Sequence, residues 1–114
     1  MDNCIFCKIV KKEIPSQVVF EDEEIIAFKD INPVAPVHLL VVPKKHIETL
    51  NDIEEADQAL MGKILLVVKQ LAKEFKVAES GYRVVNNCGK DGGQVVMHLH
   101  FHLIGGEPLG TKIC

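Results

Sequence analysis

Four cysteines and five histidines are the residues of this 114-residue chain best suited to metal or group-transfer chemistry, and their spacing is informative. Cys4 and Cys7 form the pair Cys4-Ile5-Phe6-Cys7. In a reducing compartment such a pair serves as a metal knuckle or a redox couple. A thioredoxin-type couple belongs at a strand–helix junction within a βαβ unit, and no strand precedes this one. Metal binding is the better reading if two more ligands can be found; two buried thiols without a metal are the alternative. Cys88 and Cys114 stand alone and read as structural or incidental.

The histidines concentrate near the C-terminus, in Met97-His98-Leu99-His100-Phe101-His102-Leu103-Ile104. As part of a strand over 95–104, this run puts His98, His100 and His102 on one face and Leu99, Phe101 and Leu103 on the other. Same-face neighbours then stand roughly 6–7 Å apart, a distance that brackets a phosphate but is long for three rings on one ion. A multi-histidine metal centre competes with the phosphate reading, because residues i and i+2 of a strand can supply two of the three protein ligands of a catalytic zinc. His38 and His46 flank another apolar run.

The elements that must position these residues follow from periodicity and breakers. Residues 1–16 suit a short irregular or helical hook ahead of Pro15. Val18–Phe20 and Ile25–Phe28 are β-branched and aromatic runs joined by the acidic turn 21–24, which predicts a hairpin. Val37–Val42 is a third strand ended by Pro43, with His38 at its start and His46 just beyond its end. From Asp52, a candidate N-cap with Glu55 at N3, the apolar residues Leu60, Ile64, Val67, Leu71 and Phe75 predict a helix to about Lys76. Met61, Leu65, Val68 and Ala72 form a second apolar row, wide enough for part of it to face another subunit or for the helix to sink into its own core. Tyr82–Val85 is a fourth strand, followed by the glycine-rich turn 86–93 and the histidine strand. One helix among consecutive strands with short turns implies an antiparallel α+β sandwich rather than a doubly wound sheet.

Composition sets outer bounds. One domain over 1–114 buries enough apolar surface to fold without disulfides. With 13 Lys+Arg against 16 Asp+Glu the net charge is −3, which argues against duplex nucleic acid or an anionic membrane as the main partner. No apolar stretch approaches a membrane span and no secretory leader pattern opens the chain, so a cytoplasmic protein with a small partner is expected.

His98-Leu99-His100-Phe101-His102-Leu103-Ile104 resembles the signature of the histidine triad (HIT) superfamily. Ile14-Pro15, Phe28–Pro33, Pro36–Ile47 and Asp91-Gly92-Gly93-Gln94 resemble its Hint branch, over nearly the whole chain and in the same order. The resemblance implies a five-stranded antiparallel sheet, a homodimer with the long helix at the contact, and cleavage of a nucleoside 5′-phosphoryl bond through a nucleotidyl-histidine. It makes His100 the nucleophile and His102 and His38 its phosphate-binding partners, with backbone amides of Gly93, Gln94 and Val95 completing the cradle. Asp30 would take the ribose hydroxyls; Ile5, Phe6, Ile9, Phe28 and Ile31 would surround a purine, with Asn86 near the phosphate or sugar. Zinc-containing bacterial members imply a structural zinc on Cys4, Cys7, His46 and His98. The expected substrates are adenosine or guanosine 5′-phosphoramidates or acyl-nucleotides; a dinucleoside polyphosphate hydrolase and a zinc-stabilised nucleotide-binding interaction module are the alternatives. Val95 stands where animal Hint proteins have serine, and the tail from Glu107 lacks their tryptophan-proline ending, so leaving-group preference is left open.

Overall fold

The computed structural model describes residues 3–113; Cys114 lies outside them. The elements in chain order are α1 (Ile5–Val10), β1 (Val18–Glu21), β2 (Ile25–Lys29), β3 (Val37–Pro43), α2 (Gln58–Glu74), β4 (Tyr82–Val85) and β5 (Phe101–Gly105). The strands form one antiparallel sheet in the order β1-β2-β3-β5-β4. The Asp22 carboxylate accepts from the Glu24 and Ile25 amides and so closes the acidic β1–β2 turn. No helix among the described residues is long and apolar enough to cross a membrane.

Each face of the sheet has its own helix. Ile25, Ala27, Leu39, Val41 and Leu103 pack against Leu60, Ile64, Val67 and Leu71 of α2. On the opposite face Ile26, Phe28, Leu40 and Val42 pack against Phe6 and Ile9 of α1. Because β2 and β3 are covered on both sides, they read as continuous apolar runs. The predicted second row on α2 divides. Val68 and Ala72 join the core with Met61 packed against it, whereas Leu65 is 55% exposed; Leu66, outside both predicted rows, is 65% exposed.

Two boundaries differ from expectation. Asp52 does not cap the long helix; its carboxylate accepts from the Thr49 amide and closes a 3₁₀ turn at Leu50–Asp52. A second 3₁₀ turn at Glu55–Asp57 follows before α2 begins at Gln58, so the same Thr/Asp capping chemistry is spent on a shorter turn. At the other end Lys76 is left-handed (φ 61°), and Val77 and Lys76 donate to the Ala72 and Lys73 carbonyls in a Schellman closure.

The second difference touches the histidines. The last strand starts at Phe101, not Val95, so His98 and His100 precede it and only His102 lies within it. β3 and β4 supply partners for residues 101–105 alone. Upstream, the backbone bond from the Leu99 amide to the Ile47 carbonyl, together with side-chain bonds from Asn86 to the His100 carbonyl and Gln94 to the Val96 carbonyl, holds the extended chain. The alternation still sends Leu99, Phe101 and Leu103 to the α2 core.

Candidate active site and metal site

His98 is completely buried. Its Nε2–H donates to the Pro43 carbonyl at 2.8 Å, which fixes the proton on Nε2 and leaves the Nδ1 lone pair free. Nδ1 stands 3.3 Å from Cys4 Sγ, 3.5 Å from Cys7 Sγ and 3.2 Å from His46 Nδ1. Cys7 Sγ is 3.2 Å from His46 Nδ1. The ligand atoms of Cys4, Cys7, His46 and His98 all lie within 4.8 Å of one another, and the group could bind a metal. α1 contributes directly, because Cys4 is its N-cap and accepts from the Cys7 amide. Burial, followed by the neighbouring Cys4, pushes the Cys7 thiol up to about 11. A cation must displace that proton to be ligated by Cys7, so binding here tightens as pH rises.

Two residues on, the pattern inverts. His100 uses Nδ1–H to donate to the His98 carbonyl at 2.7 Å, so its lone pair is on Nε2. Burial lowers its pKa, which keeps the ring neutral. Phe6 meets it edge-on at 5.0 Å between ring centres, perpendicular to the imidazole. A neutral, oriented imidazole with a free Nε2 is a competent nucleophile.

A second chain of donors orients His102. The Val34 amide donates to His38 Nδ1 at 3.2 Å, so a neutral His38 carries its proton on Nε2. That atom lies 2.9 Å from His102 Nδ1 and 3.4 Å from Asp30 Oδ2. Donating to His102 Nδ1 leaves His102 with Nε2–H as its outward donor. Burial first, then the proximity of His100 and His38, pushes the His102 pKa down to about 4. Both ring nitrogens of His38 are thus engaged within the protein. The Val34 amide and the Pro43 and His98 carbonyls are functional groups that side-chain patterns do not report.

The expected nucleotide contacts separate into exposed and buried sets. Ile31 is 90% exposed and Ile5 44%, but Phe6, Ile9 and Phe28 are buried in the α1-side core, with Phe6 edge-on to Phe28 at 5.5 Å. Asp30 caps its own turn by accepting from the Asn32 amide and keeps Oδ2 toward His38. Asn86 donates to the His100 carbonyl at 2.9 Å, while its buried Oδ1 has no partner among the described residues. In the glycine turn the amides of Gly93 and Gln94 already donate to the Lys90 and Gly89 carbonyls. Two of the three amides expected in the cradle are thus taken up by the turn itself. The Gln94 side chain instead staples the loop, donating to the Glu48 and Val96 carbonyls and accepting from the Gly89 amide.

The family model of the HIT domain matches residues 11–109. The chain belongs to the HIT domain family. Among its HIT relatives, protein HitA of Neisseria gonorrhoeae is 51% identical over 105 residues, covering 92% of this chain and 97% of HitA. The purine nucleoside phosphoramidase of Escherichia coli is 42% identical over 112 residues, covering 98% and 94%. A HIT family hydrolase structure from Clostridium thermocellum superposes with a TM-score of 0.97 at 47% identity, covering 100% of this chain and 99% of that one. A HIT family hydrolase from Legionella pneumophila gives 0.93 at 52% identity, covering 95% and 96%. These findings support a nucleotide hydrolase on a HIT fold.

Proposed function

We propose that the chain hydrolyses purine nucleoside 5′-phosphoramidates or acyl-nucleotides through a covalent nucleotidyl-His100 intermediate. The observation that carries this reading is the pair of opposed tautomers, His100 with a free Nε2 beside His102 with an outward Nε2–H. His100 Nε2 forms a bond to phosphorus as the bond to the leaving group breaks, and His102 supplies a proton to the departing atom. Water then attacks phosphorus, the P–Nε2 bond breaks, and the nucleoside monophosphate leaves while water's proton restores His102. The Asp30 carboxylate is an acceptor for substrate hydroxyls, and Asn86 lies beside the site on the His100 carbonyl. The 42% identity to a purine nucleoside phosphoramidase supports the substrate class. Incubation with labelled adenosine 5′-phosphoramidate and an alkaline quench, in which phosphohistidine survives, should leave label on His100. Unlabelled protein that nonetheless binds the nucleotide tightly would instead mark a binding module. Faster turnover of a diadenosine polyphosphate than of the phosphoramidate would reassign the substrate.

The ion that best fits Cys4, Cys7, His46 and His98 is zinc in a closed structural site. Tetrahedral zinc, with Zn–S of ~2.3 Å and Zn–N of ~2.0 Å, sets its ligand atoms roughly 3.3–3.8 Å apart, and the Sγ–Nδ1 separations of 3.2–3.5 Å fall near that range. Elemental analysis of native protein tests it. Unpaired Cys4, Cys7 and Cys88 suit the cytoplasm, a reducing compartment. The exposed Leu65 and Leu66 of α2, together with Tyr82 and Val84 on the same side of edge strand β4, support a homodimer. Val84→Asp should then convert a dimer to a monomer by light scattering.

A further inference from the structure

We propose that the cavity of about 290 Å³ bounded by β4, β5 and the C-terminal tail is the leaving-group subsite, and that it selects uncharged, chiefly apolar amines over cationic ones. The inference rests on the phosphoramidase reading and deepens it. Four apolar side chains, Val34, Val85, Ile104 and Leu109, line the space, and the polar His38, His102, Asn87 and Arg83 complete its wall. Val85 is the direct cross-strand partner of His102, so their side chains are neighbours on one face of the sheet.

The strand order supplies the direction. Asp30 and Phe28, at the end of β2, lie on one side of the histidine-bearing strands β3 and β5, and β4 lies on the other. A nucleoside directed toward β2 leaves the space over β4 for the group that departs. That group is separated from phosphorus when the His100 Nε2–P bond forms and the P–N bond breaks, and the amine leaves with the proton from His102 Nε2.

The one cation in the lining is Arg83, opposite Ile104 in the register. Its Nη2 donates to the Leu109 and Gly110 carbonyls at 3.4 and 2.9 Å, which holds Leu109 against the opening. Carbonyl acceptors do not neutralise the guanidinium, so a second positive charge entering the cavity meets repulsion within low-dielectric walls. The other groove near the site, beside Cys4, His46 and Val95, touches neither His38 nor His102.

Two adenosine 5′-phosphoramidates of equal length test the assignment, one made from pentylamine and one from 1,5-diaminopentane. The native protein should release AMP from the pentyl compound with kcat/KM at least about tenfold higher. Filling the cavity with Val85→Trp should lower that ratio about fivefold or more, and Leu109→Trp in the tail is the second variant should Val85→Trp fail to fold. Arg83→Glu should move the ratio toward the cationic compound. A ratio near one in the native protein, or a ratio unmoved in the Trp variant, overturns the subsite while leaving the hydrolase reading intact. AMP release from neither compound, nor from the unsubstituted phosphoramidate, overturns both.

Discussion

His98 and His100 are two residues apart, both buried, and each donates one ring N–H to a backbone carbonyl, yet they carry opposite tautomers. Pro43 O takes the Nε2 proton of His98, which turns Nδ1 toward two thiols and another imidazole. His98 O accepts from Nδ1–H of His100, which leaves the Nε2 lone pair free. Burial makes both rings neutral; the position of one carbonyl decides which ring nitrogen keeps its lone pair, and so suits one imidazole to the proposed metal ligand and the other to the proposed nucleophile. The two ends also share a covalent link, because the residue whose ring faces the proposed metal site provides the carbonyl that orients the proposed nucleophile.

The largest effect should come from removing the free Nε2. His100→Ala is expected to lower turnover of adenosine 5′-phosphoramidate at least about 10³-fold, with thermal stability close to native and metal content unchanged. Residual activity near the native rate would mean that another group attacks phosphorus. The complementary change at the other end is Cys7→Ser. Removing one of four ligands should abolish stoichiometric metal by elemental analysis and lower the melting temperature by roughly 10 °C or more. His102→Ala should leave metal content at the native level, and a variant that lost it would show that the two ends are not separable.

How far this division was legible in the sequence follows from what each signal encodes. The Cys4–Cys7 pair and the period-two histidines are side-chain patterns, and the hairpin, β3 and β4 are local runs bounded by breakers, so all were readable. The ladder around His98 and His100 was not, because alternation describes an extended chain whether or not a partner strand lies beside it, and β3 and β4 both stop pairing at Phe101 or His102. Asp52 misled for a related reason: a Thr-x-x-Asp cap stabilises one turn, and it does not report how many turns follow. The groups that assign the tautomers, Pro43 O, His98 O and Val34 N–H, are backbone atoms with no residue signature at all.

His38 tests whether orientation alone is worth a measurable amount. With Nδ1 on the Val34 amide and Nε2 on His102, it would on the proposed reading reach the reaction by holding the His102 tautomer. His38→Ala should therefore lower kcat about 10- to 100-fold with little change in KM, and His38→Asn should recover part of the loss by restoring a donor toward His102 Nδ1. An equal rise in KM would place His38 on the substrate instead.

The smallest effect, a graded one, is the response to acid. The His102 ring titrates near 4 in the fold, chiefly because of burial, against about 6.5 for an unperturbed imidazole. As pH falls below about 6.5 the unfolded chain takes up a proton at this position and the folded chain does not, so folding stability declines. The decline from this group ends near pH 4, where the folded ring also protonates. His100 is shifted in the same direction by its own burial, so the acid limb of phosphohistidine formation should lie below pH 6.5. At the metal end the sense is the same but the cause differs: Cys7 must lose a proton to bind, and acid releases the ion. Urea titrations from pH 7 to 4, run with Cys7→Ser and with His102→Gln, separate the two slopes. His102→Gln should flatten the dependence that remains in the metal-free variant, and a slope unchanged by that substitution would locate the acid sensitivity elsewhere in the fold.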